Sequence, residues 1–322
     1  MKRSLIRAAS LVILSGMLAA PALHAEYPEK PVRLIVPFSP GGGTDIQGRL
    51  LAEKMRQSTG QTFIVDNRTG AGGLIGGQIA ADSDPDGYTI LFTTASLAVN
   101  VTLYSKRMKF SATRDLVPIT WVSSAPLVLV VHPSVPAKNV KELIALAKKQ
   151  PGGLTAGVNS VGTTSHLSAE MLKQMAKLDF VIVPFRGGGP SAMALVTGEI
   201  DVLFGTAPAA MPHIKSGRIR ALAVTTPKRA SVFPDLPTMN SIYPGFESDN
   251  WYAMFFPKGV SKDKVAKINA EVAKALKDKD IADFYAREGV DPVASSPEEL
   301  GALMKREIAK YAGIIKRGNI RL

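Results

Sequence analysis

Val32-Arg33-Leu34-Ile35-Val36-Pro37-Phe38-Ser39-Pro40-Gly41-Gly42-Gly43-Thr44-Asp45 is the stretch that decides how the chain is read. Its first five residues form the apolar, β-branched run of a buried strand. Beyond it Ile46, Leu50, Leu51 and Met55 fall on one face of a helix. Between the two lies a loop of glycine, serine, proline and threonine that ends the strand and opens the helix.

The same phrase recurs along the chain. Thr62-Phe63-Ile64-Val65 runs into Asn67-Arg68-Thr69-Gly70-Ala71-Gly72-Gly73, and residues 88–92 end at Thr93-Thr94-Ala95-Ser96. After the apolar run 126–131, which suits a strand crossing between lobes, a second series begins. Residues 155–158 lead to Gly162-Thr163-Thr164-Ser165-His166, and residues 180–183 to Pro184-Phe185-Arg186-Gly187-Gly188-Gly189-Pro190. Residues 201–204 and 219–224 close it. Such alternation predicts an α/β protein of two lobes, each a mixed, mostly parallel sheet flanked by helices. Residues 226–257 carry Pro227, Pro234, Pro237, Pro244 and Pro257 and read as an irregular return connection. The expected division is residues 26–124 with 231–322 in the first lobe and 125–230 in the second. Asn139 with Glu142, and Ser296 with Glu299, carry the spacing of helix capping boxes.

Residues 1–25 differ in kind. Lys2, Arg3 and Arg7 precede a short apolar core and small residues ending at Ala25, the order of a secretory signal peptide cleaved near Ala25, with Ala22 as the alternative. This predicts a periplasmic protein. Removing the segment takes away three basic residues and no acidic one, which lowers the net charge from +12 to +9. The remaining basic residues are dispersed, without aromatic interleaving, so no nucleic acid is expected as a partner. At 46% hydrophobic and 20% charged residues the 322-residue chain suits two folded domains. It has no cysteine, so no thiol chemistry is available.

The Gly/Ser/Thr loops point to the chemistry. A helix N-terminus offers unpaired N–H groups and the positive end of the helix dipole, and glycine lets a ligand approach the backbone. Hydroxyls of Thr44, Thr94, Ser96, Thr163, Thr164 and Ser165 add donors, and together these features suit an anion. In open α/β sheets ligands lie beyond the carboxyl ends of the strands, where these loops sit. Glycines that merely turn the chain would look alike at any single loop; four such loops, split between two lobes, point to a cleft for an anionic small molecule.

Competing chemistries fail on spacing. Residues 43–50 share only the glycine spacing of a phosphate-binding loop and lack its lysine, and residues 70–76 put the last glycine one place too late for a dinucleotide fingerprint. His132, His166 and His213 are far apart, with no metal-ligand spacing, so no metal or cofactor is expected. Asp45 and His166 are the candidate bases of a rival enzymatic reading, which a poor catalytic inventory disfavours. His166 suits a ligand contact or a packed helix start equally. Arg186 suits a bidentate carboxylate contact or a loop brace. Phe38 and Phe204 suit the cleft wall or the core.

Several motifs together resemble the substrate-binding receptors of the tripartite tricarboxylate transporters, the Bug family. They are Pro40-Gly41-Gly42-Gly43-Thr44-Asp45, Asn67-Arg68 with Gly70-Ala71-Gly72-Gly73, Gly162-Thr163-Thr164-Ser165-His166-Leu167, Arg186-Gly187-Gly188-Gly189-Pro190, Phe233-Pro234-Asp235-Leu236-Pro237-Thr238 and Trp251-Tyr252. Asn240-Ser241-Ile242 departs from the family's usual acidic residue and glycine. The resemblance implies a Venus-flytrap fold whose C-terminal helices return to the first lobe. It implies a small carboxylate held by main-chain groups of Gly42, Gly43, Thr44, Asp45, Ala71 and Gly72, partly through water. The loops at 163–165 and near Arg186 would set which carboxylate fits. The expected protein is a monomer, not an enzyme, which delivers its ligand to membrane permease subunits or, alternatively, reports it to a sensor kinase.

Overall fold

A computed structural model describes residues 27–230 and 232–321; the expected signal peptide lies outside these residues. Eleven strands are named here in chain order: β1 (Val32–Val36), β2 (Phe63–Asn67), β3 (Thr89–Thr94), β4 (Leu116–Ala125), β5 (Leu127–Val131), β6 (Thr155–Val158), β7 (Val181–Pro184), β8 (Val202–Thr206), β9 (Arg220–Val224), β10 (Asn250–Pro257) and β11 (Asp291–Pro292). They form a six-stranded sheet of order β11-β4-β10-β3-β1-β2 and a five-stranded sheet of order β7-β6-β8-β5-β9. In the first, β1, β2, β3 and β4 run one way against β10 and β11; in the second, β5 alone runs against the others. Each sheet is thus mixed, with most strands pointing the same way and their loops gathered at one edge.

The helices that matter for the site are α1 (Gly43–Thr59), α2 (Leu74–Ala81), α3 (Ser96–Leu103), α4 (Val140–Lys149), α5 (Thr164–Ala176), α6 (Gly188–Val196) and α7 (Ala207–Lys215). Beyond them come α8 (Met239–Ile242), α9 (Lys262–Leu276), α10 (Lys279–Glu288) and α11 (Pro297–Arg317). Both sheets are covered on both faces. Val32, Leu34 and Val36 enter the core under α1 and α9, while Ile35 enters the one under α3 and α11. Leu127, Leu129 and Val131 pack under α4 and α5, and Val128 and Val130 under α6 and α7. Burial on both faces is why these strands read as continuous apolar runs. Asn139 caps α4 by accepting from Glu142 N–H at 2.9 Å, but the Glu142 carboxylate turns to Lys138 N–H at 2.7 Å, so the box is shifted by one residue. At Ser296 the complete capping box forms.

The chain crosses between the sheets at Pro126, between β4 and β5, and again at Ser248–Asp249 before β10. Thr225 ties the crossings together, accepting from Leu127 N–H at 3.1 Å and donating to Ser248 O at 2.9 Å. The return stretch is not irregular throughout, as its prolines suggest. It contains β10, fully buried between β3 and β4, with Tyr252, Met254 and Phe256 in one core and Trp251, Ala253 and Phe255 in the other. Pro257 occupies only the last position of that strand, where a missing N–H costs little. Before it, Phe233, Met239 and Phe246 pack into the second sheet's cores.

Candidate functional site

Gly42 precedes α1 with extended backbone and no side-chain cap, and the first helical bond runs from Ile46 N–H to Gly42 O at 3.0 Å. The N–H groups of Gly43, Thr44 and Asp45 come before that bond and remain free to meet a ligand. Asp45 does not face the cleft with its charge. Its carboxylate accepts from Gly41 N–H, Arg49 Nε and Asn67 Nδ2, each at 3.0 Å, and Asn67 also donates to Phe38 O at 2.8 Å. Burial pushes the Asp45 carboxyl up, but the bonds from Arg49, Gly41 and Asn67 outweigh it and hold the group below the usual carboxylate range. The residue braces the loop.

The next loop carries three successive residues in left-handed backbone, Ala71 (φ 47°), Gly72 (φ 62°) and Gly73 (φ 97°). Asn100 Nδ2 donates to Gly72 O at 2.9 Å, and Gly72 N–H donates across the cleft to Ser160 Oγ at 3.2 Å. At the end of β3 the buried hydroxyls of Thr94 and Ser96 bond to each other; Thr94 lines the cleft.

On the second lobe Thr163 caps α5, its hydroxyl accepting from His166 N–H at 3.3 Å. Thr164 Oγ1 donates to Asn250 Oδ1 at 3.1 Å. Ser165 is fully buried, donating to Phe204 O at 2.7 Å and accepting from Asn159 N–H at 3.2 Å. His166 is buried beside them, and burial, with help from Lys173, pushes its imidazole down to about 4, so it is neutral at physiological pH. Phe204 stacks on Phe246 in the core at 5.9 Å between ring centroids. Arg186 is exposed on the rim; its carbonyl, not its guanidinium, meets the first lobe, accepting from Ser39 N–H at 3.2 Å and Ser39 Oγ at 2.8 Å.

Phe38, Gly42, Gly43, Thr44, Thr94, Asn159, Thr163, Thr164, Gly188, Thr206 and Asn250 enclose a cavity of about 20 Å³ between the lobes, roughly room for one water. Seven residues expected from the sequence at the cleft wall are there: Phe38, Gly42, Gly43, Thr44, Thr94, Thr163 and Thr164. Asp45, Ala71, Gly72, Ser96, Ser165, His166, Arg186 and Phe204 are not part of that lining. Four lining residues escaped the sequence reading: Asn159, Gly188, Thr206 and Asn250. Asn159 and Thr206 stand at the carboxyl ends of β6 and β8, a place that the strand-end rule could have flagged. Asn250 starts the unrecognised antiparallel strand, so its amino end reaches the same edge.

Four helices, α1, α5, α6 and α7, begin at this cavity, at Gly43, Thr164, Gly188 and Ala207. No lining side chain is charged. No group of three or more His, Asp or Glu side chains able to hold a metal exists among the described residues, and no helix there is long and apolar enough to cross a membrane.

Comparison with known proteins agrees with this geometry. The family model of the tripartite tricarboxylate transporter family receptor matches residues 48–320. Protein BugT of Bordetella pertussis (strain Tohama I) is 34% identical over 321 residues, covering 99% of this chain and 98% of BugT. The structure of the periplasmic binding protein BugD superposes with a TM-score of 0.89 at 33% identity, covering 92% of this chain and 99% of BugD. An R. palustris protein, Rpa4515, solved with adipate, gives 0.88 at 32% identity over 92% of this chain and 99% of its own. The chain belongs to the tripartite tricarboxylate transporter receptor family, the Bug solute-binding proteins.

Proposed function

We propose that this protein is exported by cleavage near Ala25, captures a small carboxylate between its lobes in the periplasm, releases it unchanged and delivers it to the permease of a tripartite tricarboxylate transporter. The observation that carries the reading is the convergence of four helix N-termini on one uncharged cavity. Each terminus favours an anion by about 0.3–1 kcal/mol when exposed and up to about 2 when partly buried. Four together match the attraction of a counter-charge without fixing one, which suits a receptor that must also let go. The adipate bound to the R. palustris relative supports a carboxylate as the class of ligand. Main-chain N–H groups at Gly43, Thr44 and Asp45 receive one carboxylate, with the Ala71–Gly72 loop bridging to Ser160 of the other lobe beside the cavity; Thr163 and Thr164 meet the ligand from the other lobe. Arg186 braces the closed lobes at the rim through its carbonyl.

The lobes, residues 26–124 with 231–322 and residues 125–230, hinge about Pro126 and Ser248–Asp249, with Phe233, Met239 and Phe246 of the return segment resting on the second lobe. Ligand shifts the open–closed balance by its differential affinity for the closed form.

Thermal unfolding of residues 26–322, refolded to strip bound ligand, against mono-, di- and tricarboxylates, aromatic acids and acidic amino acids tests this. Ligand at about a hundred times its dissociation constant stabilises by roughly 2.7 kcal/mol. A shift of several degrees with one acid, abolished by Thr44→Ala with Thr163→Ala, is expected; no shift with any carboxylate would sink the proposal.

A further inference from the structure

Two buried hydroxyls beside Gly43 lack an acceptor, one on the cavity wall and one against the glycine that forms it. Tyr252 on β10 is 0% exposed and Thr206 at the end of β8 is 7% exposed, and neither hydroxyl finds an acceptor for its proton within the protein. The Asn250 carboxamide turns its NH2 to the Tyr252 oxygen, because its own oxygen is taken by Thr164, so the Tyr252 O–H proton is left without an acceptor. An orphaned buried hydroxyl is costly, and native folds rarely keep one without use.

Both oxygens face the same point. A Cβ placed on Gly43, the first residue of α1, would stand 2.6 Å from Tyr252 Oη and 3.2 Å from Thr206 Oγ1. The two hydroxyls therefore flank the N-terminus of α1 where its free N–H groups begin. Tyr252 belongs to the first sheet and Thr206 to the second, so the pair is assembled only when the lobes are together. Thr206 also precedes α7 as its capping residue, yet its side chain makes no cap bond, which leaves the hydroxyl to point elsewhere.

We infer that Tyr252 and Thr206 form a two-hydroxyl clamp on one carboxylate oxygen of the ligand, one donor from each lobe, at the α1 N-terminus. This rests on the carboxylate-receptor reading above and deepens it. The clamp supplies what a closure mechanism needs: the open protein offers the oxygen one hydroxyl, the closed protein two, and the difference is the ligand's preference for the closed form. Both donors are neutral, in keeping with a pocket that holds an anion without fixing a counter-charge.

The test is a binding cycle on the refolded protein. Tyr252→Phe and Thr206→Val each remove one oxygen and preserve shape; the acid that stabilises the wild-type protein in the thermal panel is the probe, read by calorimetry. Loss of a hydrogen bond to a charged group lowers affinity by about ten- to a hundredfold. Each single variant is expected to show that loss, the double variant to lose less than the product of the two, and the unliganded melting temperature of Tyr252→Phe to hold or rise. Affinities within twofold of wild type in both single variants would overturn the clamp while leaving the receptor reading intact. A wild-type protein that binds no carboxylate would fail that reading instead. If Tyr252→Phe lowers both stability and affinity, Thr206→Val decides: unchanged affinity there overturns the clamp.

Discussion

Replacing Gly189 by alanine tests how the lobes come together. Gly189 is the second residue of α6, and its backbone is not left-handed, so alanine fits it locally. The added Cβ would stand 2.9 Å from Pro40 O, 3.0 Å from Gly41 C and 3.2 Å from Gly41 O, all main-chain atoms of the opposite lobe. Nothing there is the end of a flexible side chain, so the lobes must part by about half an ångström to restore ordinary contact. Overpacking of this size costs about 1–3 kcal/mol. The penalty exists only in the closed form; in the open form alanine matches glycine in a helix or improves on it by up to about 1 kcal/mol. The closed–open ratio should therefore fall by about 5- to 150-fold, and ligand affinity with it. Calorimetric titration of the variant should give a dissociation constant raised by that factor, with an unliganded melting temperature equal to or above wild type. A dissociation constant within twofold of wild type would refute the closure geometry.

Two further substitutions probe the titratable groups. Asp45 is held below the usual carboxylate range despite burial, so its contribution is present above an unfolded value of about 4 and is lost as pH falls below it. Asp45→Asn should cost about 1–2 kcal/mol at pH 7, less than a fully buried pair because Arg49 is half exposed, and urea melts across pH 2–7 should show a shallower acid slope; an unchanged slope would contradict the bracing role. Asp249 behaves oppositely. Burial pushes its carboxyl up to about 6, with Glu247 and Glu307 adding to the rise and Lys310 opposing it. The stability it confers is complete below about pH 4 and lost as pH rises toward 6, leaving a cost of up to about 3 kcal/mol at neutral pH. Asp249→Asn should therefore stabilise the protein at pH 7 and not at pH 4; comparison with wild type cancels the opposite pH dependence of His166, and an equal effect at both pH values would contradict the assignment.

Much of this was legible in the sequence where local and global signals agree. β1 begins and ends where its run does because Pro31 and Pro37 bound it, and β6 stops where the polar Asn159-Ser160 begin. The capped starts of α4 and α11 were visible in the three-residue spacing of Asn139 with Glu142 and of Ser296 with Glu299. β10 was hidden: both of its faces are buried, so it lacks alternation, and Pro244 and Pro257 make its surroundings look like loop. Asn250 was lost with it, and Tyr252 was read only as part of a family motif. Asp45 and Arg186 show the other limit. Residue type identifies a carboxylate or a guanidinium, but only the fold reveals that Asp45 turns into its own loop and that Arg186 meets its neighbour through the main chain.

A crystal structure of the refolded protein with the carboxylate that stabilises it most tests the central claim directly. The account predicts the carboxylate between Gly43–Thr44 and Thr163–Thr164, within hydrogen-bond distance of the α1 N–H groups and touching no charged side chain. A carboxylate bound outside this cleft, or held there by Arg186 or another cation, would contradict it.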